Sequence, residues 1–331
     1  MSNGKVTISD IAKELNVSIV SVSRALSEQP GVSEDLKKKI SEKAKEMGYT
    51  KNKKNEQLKI LILYQQAQAQ ISGSSNISYK LQCLGKSLQE LNAYYHIEFI
   101  DRIPQESLTL PYILAQGFHF DGAILIGCFG MQYVALIKEN IKQILFFTGY
   151  SPSYDFDCVW YDFKHAGYKA CEYLIRNGHR QIGFIGHKPL YRNSEKLAGI
   201  TTALGAHQLP FNPRFVVVPD TEYQKNLLEL IDGQNAPTAF ICDYDLTALE
   251  LIQFLHANRI NVPNDISIIG SGNTEISNLA IPALTTIDVN IGYACKVAVE
   301  TLVKRINFPG LPYQNIAILS NFIERDSVRK Y

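Results

Sequence analysis

The chain has 331 residues, of which 46% are hydrophobic and 20% are charged, an ordinary balance for a soluble globular protein. Its length exceeds what one hydrophobic core usually serves and predicts two or three domains. No apolar run approaches the ~18 residues of a transmembrane helix. The N-terminus also lacks the apolar segment of a secretory signal, so we expect a cytoplasmic protein with no membrane partner.

The formal net charge of +1 is unevenly distributed along the chain. Residues 1–59 carry twelve Lys and Arg against eight Asp and Glu, while the remainder is slightly acidic. A basic N-terminal part on an acidic body is typical of a protein whose N-terminal part meets phosphates. A lysine-rich, solvated helix surface would give the same count.

A short amphipathic helix is predicted close to the N-terminus. Thr7 is placed to cap it, and Asp10 lies three residues further on, where it can interact with the first-turn amides and the helix dipole. The apolar pattern ends at Leu15 and Asn16 follows. Asparagine is among the few residues that tolerate the left-handed backbone of a tight turn between helices.

Two further helices follow before residue 50. Ser18 is predicted to cap the second, and Ser33 opens the third, which Gly48 closes. Two short helices joined by about three residues and braced by a third form a helix-turn-helix. The predicted apolar side of the second helix comprises Val20, Val22, Ala25 and Leu26.

The second helix of a helix-turn-helix presents its N-terminal side chains to base edges in the major groove. Small hydroxyls and aliphatic tips suit hydrogen bonds to bases and contacts with thymine methyl groups. A small structural bundle that binds nothing is the alternative. The candidate base-reading residues are Ser18, Ile19, Val20, Ser21, Ser23 and Arg24.

From Ile60 onward, short apolar strands alternate with helical windows, a rhythm typical of βαβ units and parallel sheets. One sheet with this many strands would be unusually large, so two α/β subdomains are predicted. Such sheets hold ligands in the crevice outside the carboxyl ends of their strands. The predicted strands are 60–64, 97–100, 123–126, 144–147, 182–185, 215–218, 239–242 and 266–269, and helices are predicted over 165–177 and 245–258.

The chain resembles the LacI/GalR family of transcriptional regulators. The resemblance is carried by Thr7-Ile-Ser-Asp-Ile-Ala12, Val17-Ser18, Val22-Ser-Arg-Ala-Leu26, Val32-Ser33 and Gly48-Tyr49, and it continues in residues 177–186, 261–267, 282–287 and 322–327. It implies an N-terminal all-α helix-turn-helix head and an α/β periplasmic-binding-protein-like core of two parallel-sheet subdomains. It also implies contacts to DNA phosphates or sugars from Thr7, Ser18, Ser33 and Tyr49. Ile19 and Val20 are both aliphatic, where many members carry at least one polar base-reading residue.

The resemblance divides the chain into a head (residues 1–49), a linker (50–59) and a core (60–331). The core subdomains would comprise residues 60–161 plus 290–320, and 162–289 plus 321–331. In the family the linker forms a hinge helix on DNA, and a leucine from each subunit wedges into the minor groove. Leu58 lies where that leucine would be. However, Lys51 and Asn55 replace the usual Pro and Ala and the segment is short, so Leu58 is alternatively the first residue of the core strand.

Effector-binding residues are carried over in the same way. The family's effector-clamping arginine, three residues before a glycine, falls on Lys196 before Gly199. A sugar site uses carboxylates and amides for hydroxyl groups, together with an aromatic face. A Tyr or Trp beside apolar strands is more often core, and an Asp after a strand more often caps the next helix. The candidate effector-binding residues are Tyr64, Trp160, Lys196, Tyr244, Asp245 and Asn273.

We therefore predict a DNA-binding repressor of a carbohydrate operon, with operator DNA and a small sugar as partners and galactose or a β-galactoside as the first guess. The absence of a C-terminal heptad tail favours a homodimer. A sugar-binding protein of the periplasmic type without DNA function is the alternative. A nucleotide-using enzyme would need a phosphate loop, which is absent. No catalytic residue, cofactor or metal site is expected, because the six cysteines and seven histidines lack metal-ligand spacing.

Overall fold

A computed structural model describes residues 6–26, 31–49, 57–66, 74–149, 155–187, 191–219 and 222–331. The chain divides into two compact units, residues 1–57 and residues 58–331. In the first unit, three helices pack around Ile11, Val22 and Ile40, one fully buried side chain from each helix. The helices are α1 (Ile8–Leu15), α2 (Ile19–Leu26) and α3 (Glu34–Glu46).

The predicted boundaries of α1 are confirmed by its capping. The Thr7 Oγ1 atom accepts a hydrogen bond from the Asp10 amide at 3.3 Å, and Asp10 Oδ2 accepts one from the Thr7 amide at 2.8 Å. This capping box satisfies donors that the first helical turn leaves unpaired. Asn16 ends the helix in the left-handed conformation, with φ of 49°.

The remaining two helices follow the prediction except for two details. Ser18 Oγ accepts a hydrogen bond from the Ser21 amide at 3.0 Å, so Ser18 caps α2 as predicted. Ser33 precedes α3, but its side chain makes no capping hydrogen bond. Val20 does not belong to the apolar side of α2: its side chain is 58% exposed, because it lies outside the stripe formed by Val22, Ala25 and Leu26.

Within the described part of the second unit, the strands form two six-stranded sheets that confirm the predicted fold class. The first sheet has the order β11-β5-β4-β3-β1-β2 and is parallel throughout. Its strands are β1 (Lys59–Gln65), β2 (Tyr94–Ile100), β3 (Gly122–Ile126), β4 (Ile144–Phe147), β5 (Asp157–Tyr161) and β11 (Asn315–Ile318).

The second sheet has the order β12-β10-β9-β8-β6-β7 and is parallel except for the antiparallel edge strand β12. Its strands are β6 (Ile182–Ile185), β7 (Val216–Val217), β8 (Ala239–Cys242), β9 (Ser267–Ser271), β10 (Thr285–Asp288) and β12 (Asn321–Ile323). The chain therefore passes from one sheet to the other after β5, after β10 and after β11.

Helices accompany both sheets, as expected for buried parallel strands. They are α4 (Ser74–Glu90), α5 (Arg102–Glu106), α6 (Tyr112–Ala115), α7 (Met131–Asn140), α8 (Phe163–Arg176), α9 (Tyr191–Ala206), α10 (Tyr223–Ile231), α11 (Asp245–Ala257), α12 (Glu275–Leu279) and α13 (Ile291–Asn307). No helix among the described residues combines the length and the apolar character needed to cross a membrane.

Four strands were missed by the sequence patterns and one was misplaced. The missed strands are β5, β10, β11 and β12, which are short or partly polar. The strand predicted over residues 215–218 is wrong at its start, because Pro213–Phe215 form a 3₁₀ turn and only Val216 and Val217 pair with the sheet.

The predicted linker lies mostly outside the described residues, which exclude positions 50–56. Leu58 is described. It is half-buried against the core cluster, and its carbonyl oxygen accepts a hydrogen bond from the Tyr94 amide at 2.7 Å. These contacts favour the alternative in which Leu58 leads into β1 of the core.

Candidate functional site

The N-terminal end of α2 exposes the side chains that were predicted to read bases. Ile19 is 54% exposed and Val20 is 58% exposed, although both are large and aliphatic. Ser18, Ser23 and Arg24 are also exposed, and Ser21 is half-buried. Two adjacent aliphatic side chains are therefore exposed to water at the start of a capped helix.

Two of the residues predicted to contact phosphates stand immediately before helices of the head. Thr7 and Ser33 are exposed and stand immediately before α1 and α3, so each lies next to unpaired amides of a helix N-terminus. The hydrogen bonds from Thr7 lower the pKa of Asp10. Tyr49 is half-buried against the head core, and its amide donates to the Ala44 carbonyl at 2.8 Å.

The core contains a small cavity at the carboxyl ends of strands from both sheets. Its volume is about 60 Å³. Tyr161 ends β5 of the first sheet. In the second sheet Ser271 ends β9, and Asp243 directly follows the neighbouring strand β8, so parallel pairing brings these two positions together. The cavity is lined by Lys80, Tyr161, Phe163, Arg192, Lys196, Asp243, Tyr244, Ser271, Gly272, Val289 and Ile291.

Lys196 crosses this cavity from α9. Its side chain is buried, and its ammonium group donates to the Asp243 carbonyl oxygen at 2.6 Å and to Ser271 Oγ at 2.9 Å. Burial lowers the pKa of Lys196 to about 8, although the attraction of Asp243 opposes this effect. At neutral pH the group is therefore still mainly a cation.

The carboxylate of Asp243 is already occupied by donors of the protein itself. Oδ2 accepts from the His187 amide at 3.0 Å and from Asn193 Nδ2 at 3.2 Å, and Oδ1 accepts from Thr247 Oγ1 at 2.8 Å. Burial would raise the pKa of Asp243, but Lys196 and these hydrogen bonds outweigh it and hold the pKa below its usual value. Asp243 is thus a fixed anion behind the cavity wall.

Lys80 reaches the same cavity from α4 and meets mainly aromatic rings. Its Nζ atom lies 5.8 Å from the centre of the Tyr64 ring, 5.7 Å from that of Phe147 and 6.0 Å from that of Tyr161. Within the described residues, the ammonium group makes no hydrogen bond. Burial lowers the pKa of Lys80 to about 8.

Arg192 lies one helical turn before Lys196 on α9. Its guanidinium carbon lies 4.4 Å from the centre of the Tyr244 ring, and burial lowers its pKa to about 10. Tyr244 also lies 5.8 Å from the Lys196 ammonium. Among the described residues, the buried Nε of Arg192 and the hydroxyl of Tyr244 have no hydrogen-bond partner.

The predicted effector residues fall into two groups. Lys196 and Tyr244 line the cavity, and Tyr64 is fully buried behind Lys80. Asp245 instead supports the second sheet, because its buried carboxylate accepts from the Thr274 amide at 2.7 Å and from the Thr274 hydroxyl at 2.8 Å. Trp160 is half-buried and donates to Asn315 Oδ1 at 2.6 Å.

Asn273 lines a second, larger cavity of about 650 Å³ that shares Gly272 and Ile291 with the first. Its amide nitrogen donates to Asp288 Oδ2 at 3.2 Å, and its amide oxygen accepts from Arg325 at 2.8 Å. The polar lining of this cavity includes Gln82, Asn273, Thr274, Glu275, Asp288 and Asn290.

Three lining residues were missed from the sequence, namely Lys80, Arg192 and Asp243. For two of them, the helical spacing in the sequence could have indicated their position. Lys80 lies four residues before Leu84, on the apolar side of α4, and Arg192 lies four residues before Lys196. Asp243 has no comparable pattern, because acidic residues after strands usually serve as caps. No group of His, Cys, Asp and Glu in the described part of the chain could hold a metal ion.

Comparison with known proteins finds a family-model match in each of the two units. The family model described as "Bacterial regulatory proteins, lacI family" matches residues 7–52, and the one described as "Periplasmic binding protein-like domain" matches residues 171–328. Catabolite control protein A of Priestia megaterium is 27% identical over 91% of this chain and 93% of its own length. The PurR repressor of Aliivibrio salmonicida is 29% identical over 91% of this chain and 92% of its own length. The probable repressor ExuR of Bacillus subtilis is 26% identical over 98% and 99%, respectively.

Solved structures show the same fold. A CelR–cellobiose complex has a TM-score of 0.69 at 20% identity and covers 98% of this chain and all of the other. A lac repressor dimer bound to operator and an anti-inducer has a TM-score of 0.68 at 21% identity with the same coverage. Two of the relatives named above are described as repressors. The helix-turn-helix head followed by a two-sheet core is therefore the architecture of the LacI-type transcriptional regulators to which this chain is similar.

Proposed function

We propose that this chain represses a carbohydrate-utilisation operon by binding its operator through α2, and that a small effector in the core cleft controls that binding. The proposal that this chain binds operator DNA rests on the exposure of Ile19 and Val20, next to Arg24, on a capped helix. In this position the aliphatic side chains would contact thymine methyl groups, and Arg24 would reach a guanine or a phosphate.

The phosphate contacts would come from the residues around α2. Thr7, Ser18, Ser33 and Tyr49 would fix the register of the head on the duplex without reading sequence. Leu58 is not needed for this docking mode. One related solved structure is a lac repressor dimer bound to its operator, and we propose that this chain also acts as a homodimer on two half-sites.

The effector half of the proposal rests on the two adjoining cavities at the strand ends. Related structures are described with cellobiose or ribose bound, which supports a sugar as the effector of this chain. Galactose or a β-galactoside is the first sugar to test. Effector binding would favour one arrangement of the two subdomains, and the dimer would transmit that choice to the heads.

The test is a titration of labelled DNA from upstream of the chain's own gene, at several salt concentrations. The replacement of Ile19 and Val20 by Ala should weaken operator binding roughly tenfold or more, because losing the specific recognition of one base pair typically costs about 1–3 kcal/mol. Ser41→Ala is the matched control, since Ser41 is exposed on α3 away from the predicted surface. Wild-type affinity should fall steeply with salt.

Two results would count against the DNA-binding half. One is an affinity for DNA that does not change with salt. The other is operator binding that survives the double replacement unchanged. Effector binding without any DNA binding would favour the alternative, a sugar-binding protein of the periplasmic type.

A further inference from the structure

Three cations converge on the small cavity of the core. Lys80 comes from α4, and Arg192 and Lys196 come from α9. Asp243 is the only carboxylate among the cavity-lining residues described above, and its oxygens are held by His187, Asn193 and Thr247. The side chains facing the cavity therefore carry more positive than negative charge.

The described residues compensate only weakly for the burial of Lys80. Its side chain is only 9% exposed, and the three rings around its ammonium group lie 5.7–6.0 Å away. These distances are at the outer limit of about 6 Å for a cation–π interaction, whose benefit is small compared with the cost of burying a charge. A purely structural lysine in this position would be expected to have a carboxylate or carbonyl partner.

Several unpaired polar atoms around the cavity can donate a hydrogen bond, beside one unpaired acceptor, Asn193 Oδ1. The donors include the hydroxyls of Tyr64, Tyr161 and Tyr244 and the Nε–H of Arg192, all of them buried and without a partner among the described residues. A guanidinium or ammonium group has no lone pair to accept a hydrogen bond. The Lys and Arg groups need a ligand that brings acceptors, and the tyrosine hydroxyls can donate to the same atoms. An oxyanion supplies the most acceptors in the least volume.

The adjoining cavity has the opposite character. Its lining contains amides and carboxylates, among them Gln82, Glu275 and Asp288, which can donate to and accept from hydroxyl groups. Gly272 and Ile291 belong to both cavities, so one small molecule could place a hydroxyl-bearing part in the larger space and an acidic group in the smaller.

We infer that the effector is an acidic sugar whose carboxylate or phosphate group is held by Lys80, Arg192 and Lys196. This inference rests on the proposed role of the cleft as the effector site and goes beyond it by specifying the ligand's charge. Lys80 and Arg192 would hold the acidic group, while Lys196 would join it to the second sheet through Ser271.

The test uses calorimetry on the full chain without DNA. The ligands are galactose, galacturonate and galactose 6-phosphate, the three corresponding glucose compounds, and inorganic phosphate as a generic oxyanion. We expect at least one acidic sugar to bind about tenfold or more tightly than its neutral counterpart, as charge-assisted hydrogen bonds are the strong ones. Binding of only the uronate identifies a carboxylate effector, and binding of only the sugar phosphate identifies a phosphorylated one.

The decisive variant is Lys80→Met, which keeps the shape of the side chain and removes its charge. Affinity for the acidic ligand should fall about tenfold or more, while affinity for neutral sugars should stay the same. The melting temperature without ligand should rise, because a buried and unpaired charge has been removed. Lys296→Met is the matched control: Lys296 lies on α13 with its side chain 59% exposed, and neither ligand affinity nor melting temperature should change.

Any of three results would overturn the inference. In the first, no acidic sugar binds more tightly than its neutral counterpart, or none of the anions binds. In the second, Lys80→Met leaves acidic-ligand affinity unchanged. In the third, Lys80→Met lowers the melting temperature, which would show that Lys80 is a structural cation held by its aromatic neighbours. Failure of DNA binding would leave all of these measurements intact, because none of them involves DNA.

Discussion

Lys80 shows how a single residue can depart from the pattern around it. It shares one side of α4 with Leu84 and Leu88, which are fully buried, so the helix carries its cation into the core rather than into water. The ammonium group at the end of this side chain faces a cavity that the surrounding elements leave open. A buried charge without a partner costs stability, and such costs are often retained where a ligand is bound.

We predict a pH signature for this buried charge in the free protein. Burial lowers the folded-state pKa of Lys80 from 10.5 to about 8; nearby Cys295 opposes this shift and Arg192 adds to it. Between these two values the unfolded chain binds the proton and the folded chain releases it, so the contribution of Lys80 to stability rises as pH rises. Lys80→Met should therefore be more stable than wild type at pH 7, by on the order of 2 kcal/mol.

That advantage should shrink as pH rises from about 8 towards 10.5, which chemical denaturation at a series of pH values would measure. The comparison with the variant cancels the titrating groups that lie away from Lys80. Lys196 and Arg192 line the same cavity, and burial lowers their pKa values to about 8 and about 10, so both titrate near the same window. Burial raises the pKa values of Tyr64 and Cys295 to about 12, so neither of these neighbours ionises in the folded protein over that window. A difference between the two proteins that does not change with pH would contradict the predicted shift.

At the scale of elements, the contact between α8 and α9 positions two of the three cations. A Cβ atom at Gly167 would overlap the carbonyl oxygen of Lys196, and one at Gly199 would overlap the carbonyl oxygen of Lys164. The two helices therefore touch backbone to backbone at both glycines. This contact explains physically why a glycine follows Lys196 three residues later: it brings the helix that carries Arg192 and Lys196 close to the start of α8.

Gly199→Ala should push the helices apart and destabilise the core by about 3 kcal/mol, since the obstructing atoms belong to backbone and cannot rotate away. The matched control is Gly205→Ala on the same helix, where no atom lies within 4 Å of the added carbon. That change should stabilise the protein by about 0.5–1 kcal/mol, because alanine loses less backbone freedom in a helix than glycine. Thermal or urea denaturation of both variants measures the difference. Similar stabilities for the two would show that the helices can separate without cost.

At the scale of the whole molecule, the proposed function requires that the head and core units be energetically coupled through the dimer. If the acidic effector changes operator affinity by some factor, operator DNA must change effector affinity by the same factor, because the two bindings share one thermodynamic cycle. Measured couplings of this kind are typically about 5–150-fold. We expect the two factors to agree when effector affinity is determined with and without saturating operator.

In the Lys80→Met variant, the effect of the effector on operator affinity should weaken only as much as effector binding itself weakens. Without effector, the variant should bind the operator with the same affinity as the wild type. The replacement of Ile19 and Val20 by Ala should have the opposite profile, with weak operator binding and unchanged effector affinity. An effector that binds tightly but leaves operator affinity unchanged would contradict the proposed regulation while leaving the ligand assignment intact.

Local features of this protein could be predicted from the sequence alone. The cap at Thr7, the left-handed turn at Asn16 and the cap at Ser18 each depend on residues within three or four positions of one another. Most apolar parallel strands were predicted for a similar reason, because a strand buried on both faces must be apolar throughout. The family landmarks added the order of head and core.

The effector cleft was decided only by the tertiary structure. Strands β5, β10, β11 and β12 are stabilised by pairing with distant segments, and their own sequences are too short or too polar to reveal them. Lys80 and Arg192 are 112 positions apart in the sequence numbering and line one cavity, because folding brings the helices that carry them to the same strand ends. Asp245 and Asn273 hold similar positions after strands, yet their hydrogen bonds go to residues in and next to the second sheet. Which polar groups remain unpaired is a property of the packed chain, since it depends on every neighbour that folding brings near.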